Sequence, residues 1–159
     1  MDDVTIARAL HVVSVVLWIG GVGFVTTVLL PAVRHLKEPN EWLEFFDWIE
    51  RRFARQARFW TIVVGVTGFY MLARFDLWDR FRYPAYWWID AMIAVWLLFT
   101  LMLFVLEPLF LHRWLLAQSQ SKPELTFRLV QWLHRLLLLI GLITILGTVA
   151  GSHGLLLFE

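Results

Sequence analysis

Between Tyr86 and Leu106 the chain reads YWWIDAMIAVWLLFTLMLFVL, and Asp90 is the one charged residue in the stretch. A helix needs roughly 20 mostly apolar residues to cross about 30 Å of hydrocarbon, so this segment has the length and composition of a membrane span. Its opening Tyr86-Trp87-Trp88 suits the aromatic belt of a membrane–water interface. The span is predicted to run from about Tyr86 to Leu111.

Three further stretches read the same way. The first runs from about Ile6 to Val33, and Pro31 helps end it. The second, from about Phe59 to Phe75, is the shortest and carries Gly65 and Gly68; the last, from about Phe127 to Phe158, holds Gly141, Gly147, Gly151 and Gly154. Such small residues let helices approach closely in lipid. The expectation is an all-α, integral membrane four-helix bundle, with residues 1–159 forming one transmembrane domain. Met1-Asp2-Asp3 lacks the basic start of a signal peptide and no small-x-small cleavage site follows, so the first span is expected to stay uncleaved.

Composition agrees. Of 159 residues 60% are hydrophobic and 17% charged, with a mean hydropathy of +0.67. A soluble domain is nearer 45–50% apolar and about a quarter charged, which excludes an ordinary soluble fold and a disordered chain. The chain has no cysteine, which removes disulfides, zinc-thiolate sites, iron–sulfur clusters, c-type haem attachment and thiol nucleophiles. Metal or cofactor chemistry must rest on His, Met, carboxylate or Tyr. No P-loop, dinucleotide glycine motif or basic nucleic-acid stripe is present, so no nucleic-acid partner is expected.

From Asn40 to Arg58, Trp42, Phe45, Phe46, Ile49 and Phe53 recur at helical spacing among Glu41, Glu44, Asp47, Arg51, Arg52 and Arg55. The stripe predicts an amphipathic helix over 40–58 lying along the membrane surface, its alternative being a helix that extends the second span into water. Arg34, Lys37, Arg51, Arg52, Arg55, Arg58, Arg113, Lys122 and Arg128 flank one side of the spans, against Arg8, Arg74, Arg80 and Arg82 on the other. By the positive-inside tendency the loops 34–58 and 113–126 are cytoplasmic and both termini face outward, as expected for a multi-pass protein of a cell inner membrane.

The five histidines divide by depth. His11 and His153 lie near the outer ends of the first and last spans, whereas His35, His112 and His134 belong to the inner half. At about 1.5 Å per residue, His134 and His153 on one helix stand roughly 28 Å apart and cannot serve one site. A polar ring within a span needs a partner, and two histidines on different helices at equal depth are what bis-imidazole ligation of b-type haem requires. The expected metal ligands are His11 with His153 for an outer haem and His134 with His112 for an inner one, giving one or two haem b, with copper as the alternative. Arg113 and Arg135 would face inner propionates, Arg8 outer ones, and Asp90 would orient a ligand histidine. His35 reads as a solvated interfacial residue, and His112 and His153 can each be read that way too. Glu107, followed by Pro108 within the third span, is expected either to pair with Arg58 or to join the inner site or a proton path; Pro108 would bend the helix and free a backbone carbonyl.

The segment Ala9-Leu10-His11, followed by Leu17-Trp18-Ile19-Gly20-Gly21, resembles the His-x6-Trp-x-Gly-Gly start of the copper-resistance D and HemJ-like membrane proteins, and Gly65-Val66-Thr67-Gly68-Phe69-Tyr70 is similar to a Thr-Gly helix of that group. The resemblance covers the four-span organisation. It implies either copper uptake or a haem-binding protoporphyrinogen oxidase of the HemJ kind, in which a first-span histidine and an intramembrane lysine matter. His11 matches the histidine, while Lys37 and Lys122 lie in loops. Soft ligands for Cu(I) are sparse, since Met1, Met71, Met92 and Met102 form no cluster.

The function expected from these readings is that of a b-type haem protein passing electrons within the lipid bilayer, with quinone or a redox protein as exchange partner, and so a possible membrane oxidoreductase. Copper or proton-coupled metal transport and a structural subunit of a larger complex or homo-oligomer are the alternatives.

Overall fold

The computed structural model describes residues 2–39, 41–111, 113–114, 117 and 122–155. All regular structure among them is helical. Helix α1 covers Asp2–Leu36, α2 covers Trp42–Arg74, α3 begins at Trp87 and continues to Leu111, and α4 covers Pro123–Ser152. Two short 3₁₀ turns, Trp78–Arg82 and Pro84–Tyr86, join α2 to α3.

The helices run alternately up and down, as close contacts at successive depths show. At one end His11 of α1 lies against Gly68 of α2, and Trp87 and Trp88 of α3 lie against Gly147 and Gly151 of α4. Midway, Ile19 of α1 meets Gly141 of α4 and Trp96 of α3 meets Gly65 of α2. At the other end Val25, Leu30 and Val33 of α1, Trp42, Leu43 and Phe46 of α2, and Phe127 and Val130 of α4 form one buried cluster. Glycine is required where the indoles seat: a Cβ on Gly147 would stand 2.4 Å from Trp87 and one on Gly151 would stand 2.3 Å from Trp88.

Three helices are long and apolar enough to cross a membrane: Asp2–Leu36, Pro84–Leu109 and Pro123–Ser152. Their outward faces are apolar; Val16, Leu97 and Ile143 are exposed, and Leu146 is 69% exposed. In water such a surface would be an association site, whereas a bilayer covers it.

Four expectations are corrected. The segment 40–58 is not a separate interfacial helix, because α2 runs unbroken from Trp42 to Arg74 and buries Trp42, Leu43 and Phe46 against α1 and α4. The amphipathic stripe faces protein. Pro31 does not end α1: the chain stays helical through it, with a π-helical turn over Val25–Leu29 before it and Pro31 in the first turn of the α-helical segment that follows. The fourth span is shorter than expected: α4 ends at Ser152, and Gly154 takes φ +93°. Finally, α2 does not count among the helices apolar enough to span, because its uncharged stretch between Arg58 and Arg74 is short, although that half lies along α1 within the bundle.

A second π-helical stretch, Met102–Leu111, contains Pro108. In π register residue 108 would donate to the carbonyl of residue 103, and proline has no N–H to give. Arg58 of α2 takes the vacancy, donating Nε–H to Leu103 O at 2.8 Å while its terminal nitrogen pairs with Glu107. The expected freed carbonyl and the Arg58–Glu107 pair are thus parts of one contact.

Candidate functional site

Three of the histidines hold their rings in a common way. His11 Nδ1 lies 3.1 Å from Val64 O and 3.0 Å from Thr67 Oγ1. Since a carbonyl oxygen only accepts, Nδ1 carries the proton. Thr67 Oγ1 gives its own proton to Val63 O at 2.6 Å and so accepts from the ring. His134 Nδ1 donates to Val130 O at 2.9 Å, one turn back on α4. His153 Nδ1 donates to Val149 O at 2.8 Å. In the neutral ring each arrangement leaves Nε2 with its lone pair, the tautomer a metal-ligating histidine adopts when a carbonyl fixes its other nitrogen.

Packing sets the orientation of two of these rings. His11 is half-buried between α1 and α2, over Gly68, where a Cβ would come within 3.2 Å of the ring. His134 meets Phe46 of α2 edge to face, with centroids 5.6 Å apart at 89°. Thr26 of the first π turn stands 3.5 Å from the His134 carbonyl oxygen. Beside this layer Arg135, Thr26, Thr27 and Pro31 line a groove of about 570 Å³ that continues over Leu138, Leu139 and Leu142.

The outer pair is arranged differently from the inner layer. His11 turns toward α2, whereas His153 is exposed at the end of α4 and bonded to its own last turn. No hydrogen bond or ring contact joins the two among the described residues. Arg8 is exposed with its guanidinium 5.9 Å over the Phe75 ring. Asp90 is exposed, and no hydrogen bond joins it to a histidine among the described residues. Arg113 is exposed, and His112, expected as the second inner ligand, lies outside the described residues. His35 is exposed in the last turn of α1. No group of three or more His, Cys, Asp or Glu residues suited to a metal ion occurs among the described residues.

Two features were not read from the sequence. Ser14 Oγ and Trp18 Nε1, one and two turns along α1 from His11, are buried without a hydrogen-bond partner among the described residues, as is Trp60 Nε1 on α2. Buried polar atoms are nearly always satisfied, so these mark places where the bundle's polar interior is incomplete on its own. Their i, i+3, i+7 spacing from His11 to Trp18 was visible; that this face turns inward was not.

The second feature is a carboxylate cluster in the first half of α2. Burial, reinforced by Glu107 and Asp47 and opposed by Arg58 and Arg51, pushes the Glu50 carboxyl up to about 7. Glu50 precedes the apolar half of α2. At the opposite end of the bundle the Tyr70 hydroxyl donates to Asp3 at 2.6 Å.

Comparison with protein-family models, with curated proteins and with solved structures finds no match to this chain.

Proposed function

We propose that this chain is a four-span membrane protein, with residues 59–75 of α2 crossing beside the three longer spans, that binds b-type haem through its intramembrane histidines and passes electrons within the bilayer. The observation that carries the reading is the shared state of His11 and His134: each gives Nδ1–H to a carbonyl, and no hydrogen bond engages its Nε2 among the described residues. A histidine retained only for packing gains little from that arrangement, since its second nitrogen stays unsatisfied in lipid.

The donor set suits such a group. His134 would hold the inner one, with His112 as the second ligand, and Arg135 in the adjoining groove would neutralise a propionate. His11 would serve the outer layer, with His153 as its expected partner. When bound, haem supplies one-electron chemistry. The chain's own contribution is orientation: Val64, Thr67 and Val130 fix the tautomers, Phe46 fixes the ring plane of His134, and the surrounding span residues exclude water. In this reading Glu107 is committed to Arg58 rather than to a proton path.

Haem quantified on protein purified after expression with haem supplied tests the proposal. His134→Ala and His11→Ala should each lower the haem-to-protein ratio, and by different fractions if there are two sites. Unchanged ratios in both variants would refute these ligands, and copper retained by a haem-free protein would favour metal transport instead.

A further inference from the structure

A second groove, of about 480 Å³, runs between α1 and α2. Gly20, Gly21 and Phe24 line its α1 side, and Arg52, Phe53 and Gln56 its α2 side. Phe53 lies so close to Gly21 that a Cβ there would stand 2.4 Å from its ring, so the phenyl forms the floor. At Gly20 nothing lies within 4 Å of a Cβ, which leaves the groove open above it. From Gly21, which lies against the ring of Phe53 beside Arg52, the apolar lining continues along α1 over Gly20 to Leu17 and Val16.

The polar end is a single cation. Arg52 places its guanidinium 4.3 Å over the exposed Trp48 ring, and no carboxylate pairs with it among the described residues. Its neighbours differ, for Arg51 pairs with Asp47 and Arg58 with Glu107. Arg52 sits about two turns before the apolar half of α2, on the side where basic residues gather. An unpaired, pre-oriented guanidinium at the mouth of an apolar groove matches a phosphate with a hydrocarbon chain attached. A neutral quinone head would leave that charge unanswered.

We propose that the groove between α1 and α2 binds one anionic phospholipid, its phosphate on Arg52 and an acyl chain lying over Gly20 and Gly21. The Gly20-Gly21 pair is then the feature that admits the chain, and Trp48 the platform that holds the cation. The site is separate from the histidines, so its test does not depend on haem.

Native mass spectrometry of the purified full-length protein, titrated with phosphatidylglycerol or with phosphatidylcholine of identical chains, reads the site directly. One phosphatidylglycerol should be retained about fivefold more strongly than phosphatidylcholine, the preference expected for one interfacial arginine. Arg52→Gln should erase the preference, and Arg55→Gln, which does not line the groove, should keep it. Gly20→Leu should weaken both lipids, because its side chain enters the open space. The proposal is overturned if the wild-type protein shows no preference, if Arg52→Gln retains it, if Arg55→Gln erases it equally, or if a short-chain ubiquinone displaces the bound phosphatidylglycerol.

Discussion

Arg58 Nε and the carbonyl oxygen of Leu103 stand 2.8 Å apart across the α2–α3 interface, and that carbonyl is the one Pro108 leaves unpaired in π register. The same guanidinium neutralises Glu107. One side chain therefore satisfies a backbone defect and a carboxylate together, and ties the inner halves of two helices. Arg58 and Glu107 are mostly buried, at 28% and 13% exposure, so neither has bulk water as a substitute partner.

Arg58→Ala should lower stability in detergent by about 3–5 kcal/mol, the usual cost of stranding one member of a buried pair. Adding Glu107→Gln should restore part of the loss but not all, because Leu103 O remains without a donor. Denaturant titration monitored by tryptophan fluorescence gives the comparison. Full recovery in the double variant would mean that the carbonyl contact contributes nothing.

The glycines should separate into two groups. Gly151→Ala and Gly147→Ala drive a Cβ into the packed indoles of Trp88 and Trp87 and should cost about 1–3 kcal/mol, as overpacking usually does. Gly20→Ala meets nothing within 4 Å and should be neutral or slightly stabilising. Thermal unfolding of the three variants checks the order, and equal losses at all three would contradict the packing described.

Glu50 predicts a pH dependence. Its folded-state carboxyl titrates near 7 against an ordinary 4.5, because burial and the neighbouring Glu107 and Asp47 disfavour its charge. The folded state therefore binds more protons across that window, and the contribution of Glu50 to stability falls as pH rises from about 4.5 to about 7. Glu50→Gln should flatten the profile over the same range and leave the protein more stable than wild type at pH 8. An unchanged profile would show that Glu50 titrates normally.

Much of this was legible in the sequence, and the failures have identifiable causes. Length and apolarity located the helices, and the glycines of α2 and α4 marked contacts that the indoles of α3 fill. The charged stripe from Glu44 to Arg55 read as a surface helix because periodicity shows that one face is apolar without showing what covers it. Here α1 and Phe127 do. Pro31 read as a terminator because the π turn before it, and the helix that continues through it, leave no compositional mark. Histidine depth followed from residue counting along each helix. Rotation did not, and so the sequence could not tell that His11 faces α2 while His153 sits exposed at a helix end.

Thr67 offers a finer test of the outer histidine. Thr67→Val keeps the shape of the residue but removes the oxygen that accepts from His11 Nδ1, leaving Val64 O as the single acceptor. If His11 ligates haem, the outer component should shift in midpoint potential with little loss of haem. A redox titration identical to wild type would argue that His11 has no part in ligation.

The most direct measurement is the absorption spectrum of the purified protein, oxidised and then reduced with dithionite. The account predicts a Soret band that shifts on reduction and a sharp alpha band, both diminished in His134→Ala. A protein that folds, inserts and remains colourless after expression with ample haem would contradict it.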